Sequence, residues 1–425
     1  MEKYRDRIAD KLLECRLEEV GAVLVEGPKW CGKTTTCEQH AKSIIYMDDP
    51  AMKDQYRIMA QTQVQALLPG DTPHLIDEWQ VAPQLWDAIR FEVDHRPVQE
   101  GQFILTGSAV PVDTSQIEHS GIGRFARLKM RTMSLFESGE SSGEVSLEKL
   151  FSSQELVNGR NDLQLQDIAY LVCRGGWPSV LNKSQRASLR VASDYYEMLV
   201  ESDISRVDGV DRNPEWADKL MKSYARLQGS QASANVIAQD IQSLSAETIS
   251  SKTIENYLNA LRKIFVVDDM KAWNPRLRSK TAVRTSSTRY LTDPSMAAAA
   301  LGIGPQDLMN DLNTFGLLFE TLCVRDLRIY ADCIDGTVYH YRDKDELECD
   351  AVVHLRNGKY GLIEIKLGGD QAISEAASNL KKLAAKIDTT ALKQPSFMMV
   401  LTAVGKFAYT RQDGVCVVPI ACFKP

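Results

Sequence analysis

Ala22-Val23-Leu24-Val25 is a short apolar run, and Glu26 leads from it into Gly27-Pro28-Lys29-Trp30-Cys31-Gly32-Lys33-Thr34. The spacing G-x-x-x-x-G-K-[ST], after a strand and ahead of a helix beginning near Thr35, predicts a phosphate-binding loop. Backbone N–H groups of the loop and of the helix N-terminus cradle an anion. Lys33 is expected at the β- and γ-phosphates, and Thr34 is expected to offer its hydroxyl to Mg²⁺. The expected ligands are therefore ATP and Mg²⁺.

Two further strands strengthen this reading. His74-Leu75-Ile76-Asp77-Glu78 is an apolar run ending in two acids. Asp77 is expected to hold Mg²⁺ and Glu78 to polarise the attacking water as general base. Phe103-Ile104-Leu105-Thr106-Gly107-Ser108 is a third run that ends in hydroxyls, with Thr106 and Ser108 as candidate sensors of the γ-phosphate. A plain turn at the strand end fits Thr106 and Ser108 equally well. Three strands ending in phosphate chemistry suit ligand binding at the carboxyl edge of a parallel sheet. Gly123-Arg124 follows, with Arg127 and Arg131 nearby. An arginine here suits a finger reaching the γ-phosphate of a neighbouring copy, which would require a homo-oligomer. A solvated surface arginine is the alternative.

The 425 residues carry 44% hydrophobic and 25% charged residues, ordinary for a globular chain of two to four domains. The net charge of −7 gives nucleic-acid binding no general support, so any such contact must come from a local patch. Nine dispersed cysteines without a zinc spacing read as reduced thiols. No apolar run approaches the ~20 residues that span a bilayer. The N-terminal MEKYRDRIADKLLE reads as a charged helix, not a signal peptide. A soluble cytoplasmic protein with no membrane contact is expected.

Four regions are expected: an α/β parallel-sheet core over 1–137, a helical lid over 138–210, a third region over 211–295 and a strand-rich domain over 296–425. ESGESSGEVS, at the first boundary, reads as a linker or exposed loop.

GPKWCGKTT, HLIDEWQ, FILTGS and GRFARLKMRTMSLFE occur in that order, followed by Arg174-Gly175-Gly176-Trp177-Pro178 and Glu201-Ser202-Asp203-Ile204. With these motifs the chain resembles the prokaryotic AAA-type ATPases that carry a C-terminal domain of unknown function. The resemblance implies ATP hydrolysis and extends over nearly the whole chain. Trp30 departs from the small residues usual in the loop; it would contact the nucleotide or pack outward.

Ala234–Ile241 and Ser250–Leu261 read as two helices, the second capped by Ser250 or Ser251. Ile254, Tyr257, Leu258 and Leu261 fall on one face. From Lys271 to Thr292 the cations Lys271, Arg276, Arg278, Lys280, Arg284 and Arg289 occur without an acid, bracketed by Trp273 and Tyr290. This suggests a winged-helix domain with a basic wing, used on the phosphates of DNA or RNA or for protein contact.

Leu347–His354 and Tyr360–Lys366 read as a hairpin around Asn357-Gly358. Asp350 with Glu364-x-Lys366 resembles the PD-(D/E)xK nuclease-like core, in which Asp350 and Glu364 would bind metal and Lys366 would orient water. Glu320 matches the position of a helix carboxylate in such sites; a solvated helix acid is the alternative. A two-residue loop would turn Glu364 to the face opposite Asp350. A three-residue loop, Arg356-Asn357-Gly358, pairs Leu355 with Lys359 and sets Asp350 across from Glu364, so the three-residue loop is expected.

Two functions follow. In one, an AAA-type ATPase drives a nucleic-acid-directed winged-helix and nuclease-like module. In the other, a nucleotide-switched scaffold binds a protein partner through an inactive nuclease-like fold.

Overall fold

The computed structural model describes residues 4–98, 100–110, 117, 119–153, 156–245, 248–275, 286–387 and 392–425. The chain forms two compact units. The first comprises Met1–Thr132, Leu199–Pro214 and Tyr257–Val266; the second comprises Met133–Met198, Glu215–Asn256 and Val267–Pro425.

In the first unit, β1 (Ala22–Glu26), β2 (Ser43–Tyr46), β3 (His74–Asp77), β4 (Phe103–Gly107) and β5 (Phe125–Lys129) form a sheet of order β2-β3-β4-β1-β5. Every pairing is parallel. Alternate residues of β1 enter opposite cores. Ala22 and Leu24 join Trp79, Trp86, Ile89 and Leu105, while Val23 and Val25 join Leu13, Cys37, Leu75 and Ile104. A parallel sheet covered on both faces explains the nearly unbroken apolar strands. Helix α1 (Ile8–Glu19) precedes β1 and helix α2 (Lys33–His40) follows the loop after it.

The second unit is built on β6 (Val145–Ser146), β7 (Gly159–Arg160), β8 (Gly336–Arg342), β9 (Glu348–Leu355), β10 (Tyr360–Lys366), β11 (Phe397–Thr402), β12 (Phe407–Thr410), β13 (Cys416–Pro419) and β14 (Phe423–Lys424). Seven of these form the sheet β7-β12-β13-β11-β10-β9-β8, and β14 pairs with β6. Helix Asp370–Lys386 lays Ile373, Ala377, Leu380 and Leu383 on Val352, Leu362 and Val400 of this sheet.

ESGESSGEVS is not an exposed linker. Ser134 caps the helix Leu135–Ser138 in a capping box with Glu137. Ser141 Oγ donates to Phe423 O at 2.7 Å and Ser146 Oγ to Pro425 O at 2.7 Å. Its serines satisfy backbone carbonyls of the chain's last strand, so polarity there does not mean solvent. Trp273 and Tyr290 are likewise core residues. Trp273 joins the cluster containing Tyr341 and Tyr360, and Tyr290 is 1% exposed.

The motif Arg174–Pro178 also finds a structural role. Gly176 N donates to Asp293 Oδ2 at 3.0 Å, and Trp177 Nε1 donates to Ser295 Oγ at 2.9 Å. A Cβ on Gly176 would stand 2.1 Å from Met133 O, so only glycine fits. Arg325, with a 2% exposed side chain, bridges Asp293 at 3.0 Å and Asp326 at 2.8 Å. Asp326 in turn accepts from Leu135 N at 3.0 Å. Breaking a buried ion pair from one side strands the remaining charge. Arg325→Met is therefore expected to destabilise the second unit by about 3–5 kcal/mol, measured by denaturant unfolding.

Candidate active site

The loop Gly27–Gly32 lies at the carboxyl end of β1, between β4 and β5 in the sheet. There the connections leave in opposite directions, the usual position for a ligand crevice. A Cβ on Gly27 would meet Met130 O at 2.1 Å, which explains that glycine. Gly32 takes φ +98° as α2 begins, a conformation that glycine adopts freely. Trp30 also takes positive φ, +64°, and is 56% exposed. Arg7 Nη1 holds the loop from beneath by donating to Cys31 O at 2.8 Å. Lys33 is buried, its Nζ donating to Gly27 O at 3.0 Å and Pro28 O at 2.9 Å. Its ammonium lies within the loop that would hold the phosphates.

Asp77 joins the elements. Its Oδ1 accepts from Thr34 Oγ1 at 2.8 Å and, in a very short bond, from Thr106 Oγ1. Burial pushes the Asp77 carboxyl up, against the lowering effect of the two hydroxyls. Thr106 Oγ1 also accepts from Glu78 N at 3.1 Å. Glu78 sits at φ +54°, uncommon for a non-glycine residue and characteristic of strained functional turns. Its Oε2 accepts from Ser108 Oγ at 2.9 Å and from Gln80 Nε2 in a short bond. Thr106 and Ser108 thus bond to the acids themselves. Gln80 carries no motif of its own in the sequence; its one signal there is its place two residues beyond Glu78 in HLIDEWQ.

Thr34 and Asp77 suit a hydrated divalent cation, since a hydroxyl and a carboxylate oxygen already converge at the loop's exit. Thr35 lies in the first turn of α2. Arg124 lies elsewhere: it precedes β5, and its carbonyl accepts from Ala22 N at the start of β1. One five-residue strand, about 16 Å at ~3.3 Å per residue, separates it from its own phosphate loop. Its Nε pairs with Asp94 at 2.9 Å.

The carboxylates of the second unit also meet. Leu355 N donates to Lys359 O at 2.9 Å and Gly358 takes φ +84°, as the three-residue loop requires. Ile363 pairs with Ala351, which sets Glu364 across from Asp350. Lys366 Nζ lies 2.8 Å from Glu364 Oε2 and 3.2 Å from Asp350 Oδ2. Asp350 also accepts from Ile365 N at 2.7 Å. Glu320, on the helix Leu312–Asp332, accepts a short bond from Tyr290 Oη. Burial, then the charge of Asp350, pushes Glu320 and Glu364 up. Burial opposes the Lys366 charge, but Asp350 and Glu364 outweigh it and raise that ammonium. Among the described residues, no group of three or more His, Cys, Asp or Glu is arranged to hold a metal ion. Lys366 stands at the position between the two strand carboxylates.

Of the expected basic wing, Arg276, Arg278, Lys280 and Arg284 lie outside the described residues. Arg289 pairs with Asp269 at 2.8 Å, and Lys271 is exposed. No described helix is long and apolar enough to cross a membrane.

Residues 20–138 match an AAA domain, residues 315–423 a domain of unknown function (DUF4143), and residues 165–307 another (DUF8612). The chain thus carries a P-loop AAA ATPase domain followed by a DUF4143 domain. No curated protein matches the sequence. Among solved structures, a Walker-type ATPase of Pyrococcus abyssi is 14% identical over 70% of this chain and 96% of its own, with a TM-score of 0.43. RuvB of Thermotoga maritima is 16% identical over 61% and 87%, at 0.28. The ORC1 protein of Aeropyrum pernix, in complex with DNA, is 13% identical over 73% and 94%, at 0.24.

Thr106→Val keeps the shape but leaves the Glu78 N–H without its acceptor. It is expected to cost about 1–3 kcal/mol of stability, the range for a stranded buried polar group. Ser108→Ala should cost less, because Glu78 keeps Gln80. Thermal unfolding of the two variants checks this order.

Proposed function

We propose that the protein is a Mg²⁺-dependent ATPase of AAA type whose nucleotide cycle acts on a nucleic-acid-directed module that follows the AAA domain in the chain. The observation that carries this is the bond of Thr34 to Asp77 beside Glu78, at the exit of the phosphate loop. Lys33 would leave the carbonyls of Gly27 and Pro28 for the β- and γ-phosphates. Thr34 and Asp77 would hold Mg²⁺, which when bound draws charge from the phosphate oxygens. Glu78, oriented by Thr106 and Ser108, would accept the proton of the attacking water. Arg124 is too far to serve its own nucleotide, so a finger role needs a neighbouring copy in a homo-oligomer.

Support for a winged helix comes from the helices Pro214–Arg226, Ala234–Ser245 and Ser251–Lys263. The last is capped by Ser250 Oγ accepting from Thr253 N at 3.1 Å. Antiparallel bridges Val267–Leu291 and Met270–Thr288 follow, in the order a wing requires. The second reading, a nucleotide-switched scaffold that binds a protein through an inactive nuclease-like fold, is favoured by Lys366. An internal ammonium already pairs with Asp350 and Glu364.

Lys33→Ala is expected to lose ATP binding in a fluorescent-nucleotide titration. Glu78→Gln should bind ATP yet release phosphate about a hundredfold or more slower. Wild-type turnover by Glu78→Gln would remove Glu78 as the base. With Mg²⁺ or Mn²⁺, the nuclease reading requires cleavage of DNA or RNA that Glu364→Ala abolishes. Absence of cleavage by the wild type would favour the scaffold.

A further inference from the structure

The phosphate loop carries a second cation, Lys29, to which the chemistry above gives no role. Lys29 Nζ lies 2.8 Å from Asp203 Oδ1, 174 residues away in sequence. Asp203 ends the π-helical turn Leu199–Asp203, a geometry concentrated at functional positions. Its side chain is 14% exposed and that of Lys29 is 45% exposed. The stretch Leu199–Pro214 belongs to the same compact unit as the loop.

That stretch is held from within and contacts Lys263, which in turn bonds to Val110. Arg212 Nη1 donates to Ile204 O at 2.9 Å and pairs with Asp208 at 2.6 Å. Asp208 also lies 3.6 Å from Lys263 Nζ. Lys263 O accepts from Val110 N at 3.0 Å, just beyond the strand that carries Thr106.

We propose that Asp203 is a positioning residue of the ATPase site, acting through Lys29. Asp203 competes with the γ-phosphate for the Lys29 ammonium. A bound triphosphate draws Lys29 away, and 199–214 is released from the loop. A half-exposed ion pair is individually weak, and a lysine stem is long and flexible, so the exchange is easy. The inference rests on the ATPase reading and supplies the step by which phosphate occupancy reaches chain outside the AAA domain.

The test combines equilibrium binding with hydrogen exchange on the full chain, using fluorescent ADP and a non-hydrolysable ATP analogue. Asp203→Asn is expected to tighten the analogue about threefold while leaving ADP nearly unchanged. Adding Lys29→Met should remove that gain, since the two residues act as one pair. In the wild type, 27–34 should be protected by both nucleotides, and 199–214 should exchange faster with the analogue than with ADP. The proposal fails if Asp203→Asn affects both nucleotides equally or neither. It also fails if 199–214 exchanges alike with both nucleotides while 27–34 is protected. No protection at 27–34 would overturn the ATPase reading and this inference with it.

Discussion

One carboxylate organises the first unit. Asp77 ends β3 and accepts hydroxyls from Thr34, at the start of α2, and from Thr106, on β4. It therefore sets the phosphate loop relative to two strands besides the one the loop follows. The site is costly to build, since burial disfavours the ionised acid. The same bonds hold Glu78 in its left-handed turn, because Thr106 also accepts its N–H.

The second unit orders its polar groups by similar means. Arg325 balances Asp293 and Asp326 in the interior. Those carboxylates in turn accept from backbone N–H groups of Gly176 and Leu135. These bonds add to the buried apolar side chains between Met133 and Pro178, among them Leu147, Ile168 and Trp177. Serines between 134 and 146 do the same for the chain's last strand. Buried polar groups impose one arrangement because each alternative leaves donors unpaired.

The carboxylate cluster shows how one strand register gathers charged groups. Asp350, Glu364 and Glu320 assemble acids whose mutual repulsion and burial favour protons or a cation. Lys366 supplies that cation internally. Lys366 lies against both strand carboxylates, and the fold alone does not assign an activity to them.

Local features were legible from the sequence. The phosphate loop depends on glycines and a lysine at fixed spacing. The hairpin register followed from Gly358 and the length of its turn, because side chains alternate strictly along a strand. Strands β1, β3 and β4 were visible as apolar runs closed by polar residues. The pairing of Lys29 with Asp203, the burial of Trp273 and Tyr290, and the folding of ESGESSGEVS were not legible. Each depends on a partner far away in the chain: Asp203 for Lys29, Glu320 for Tyr290, Phe423 for Ser141. Sequence determined which chemistry each segment could perform, because spacing and residue type are local. Tertiary structure decided which polar groups were solvated and which were paired, because burial is a property of distant neighbours.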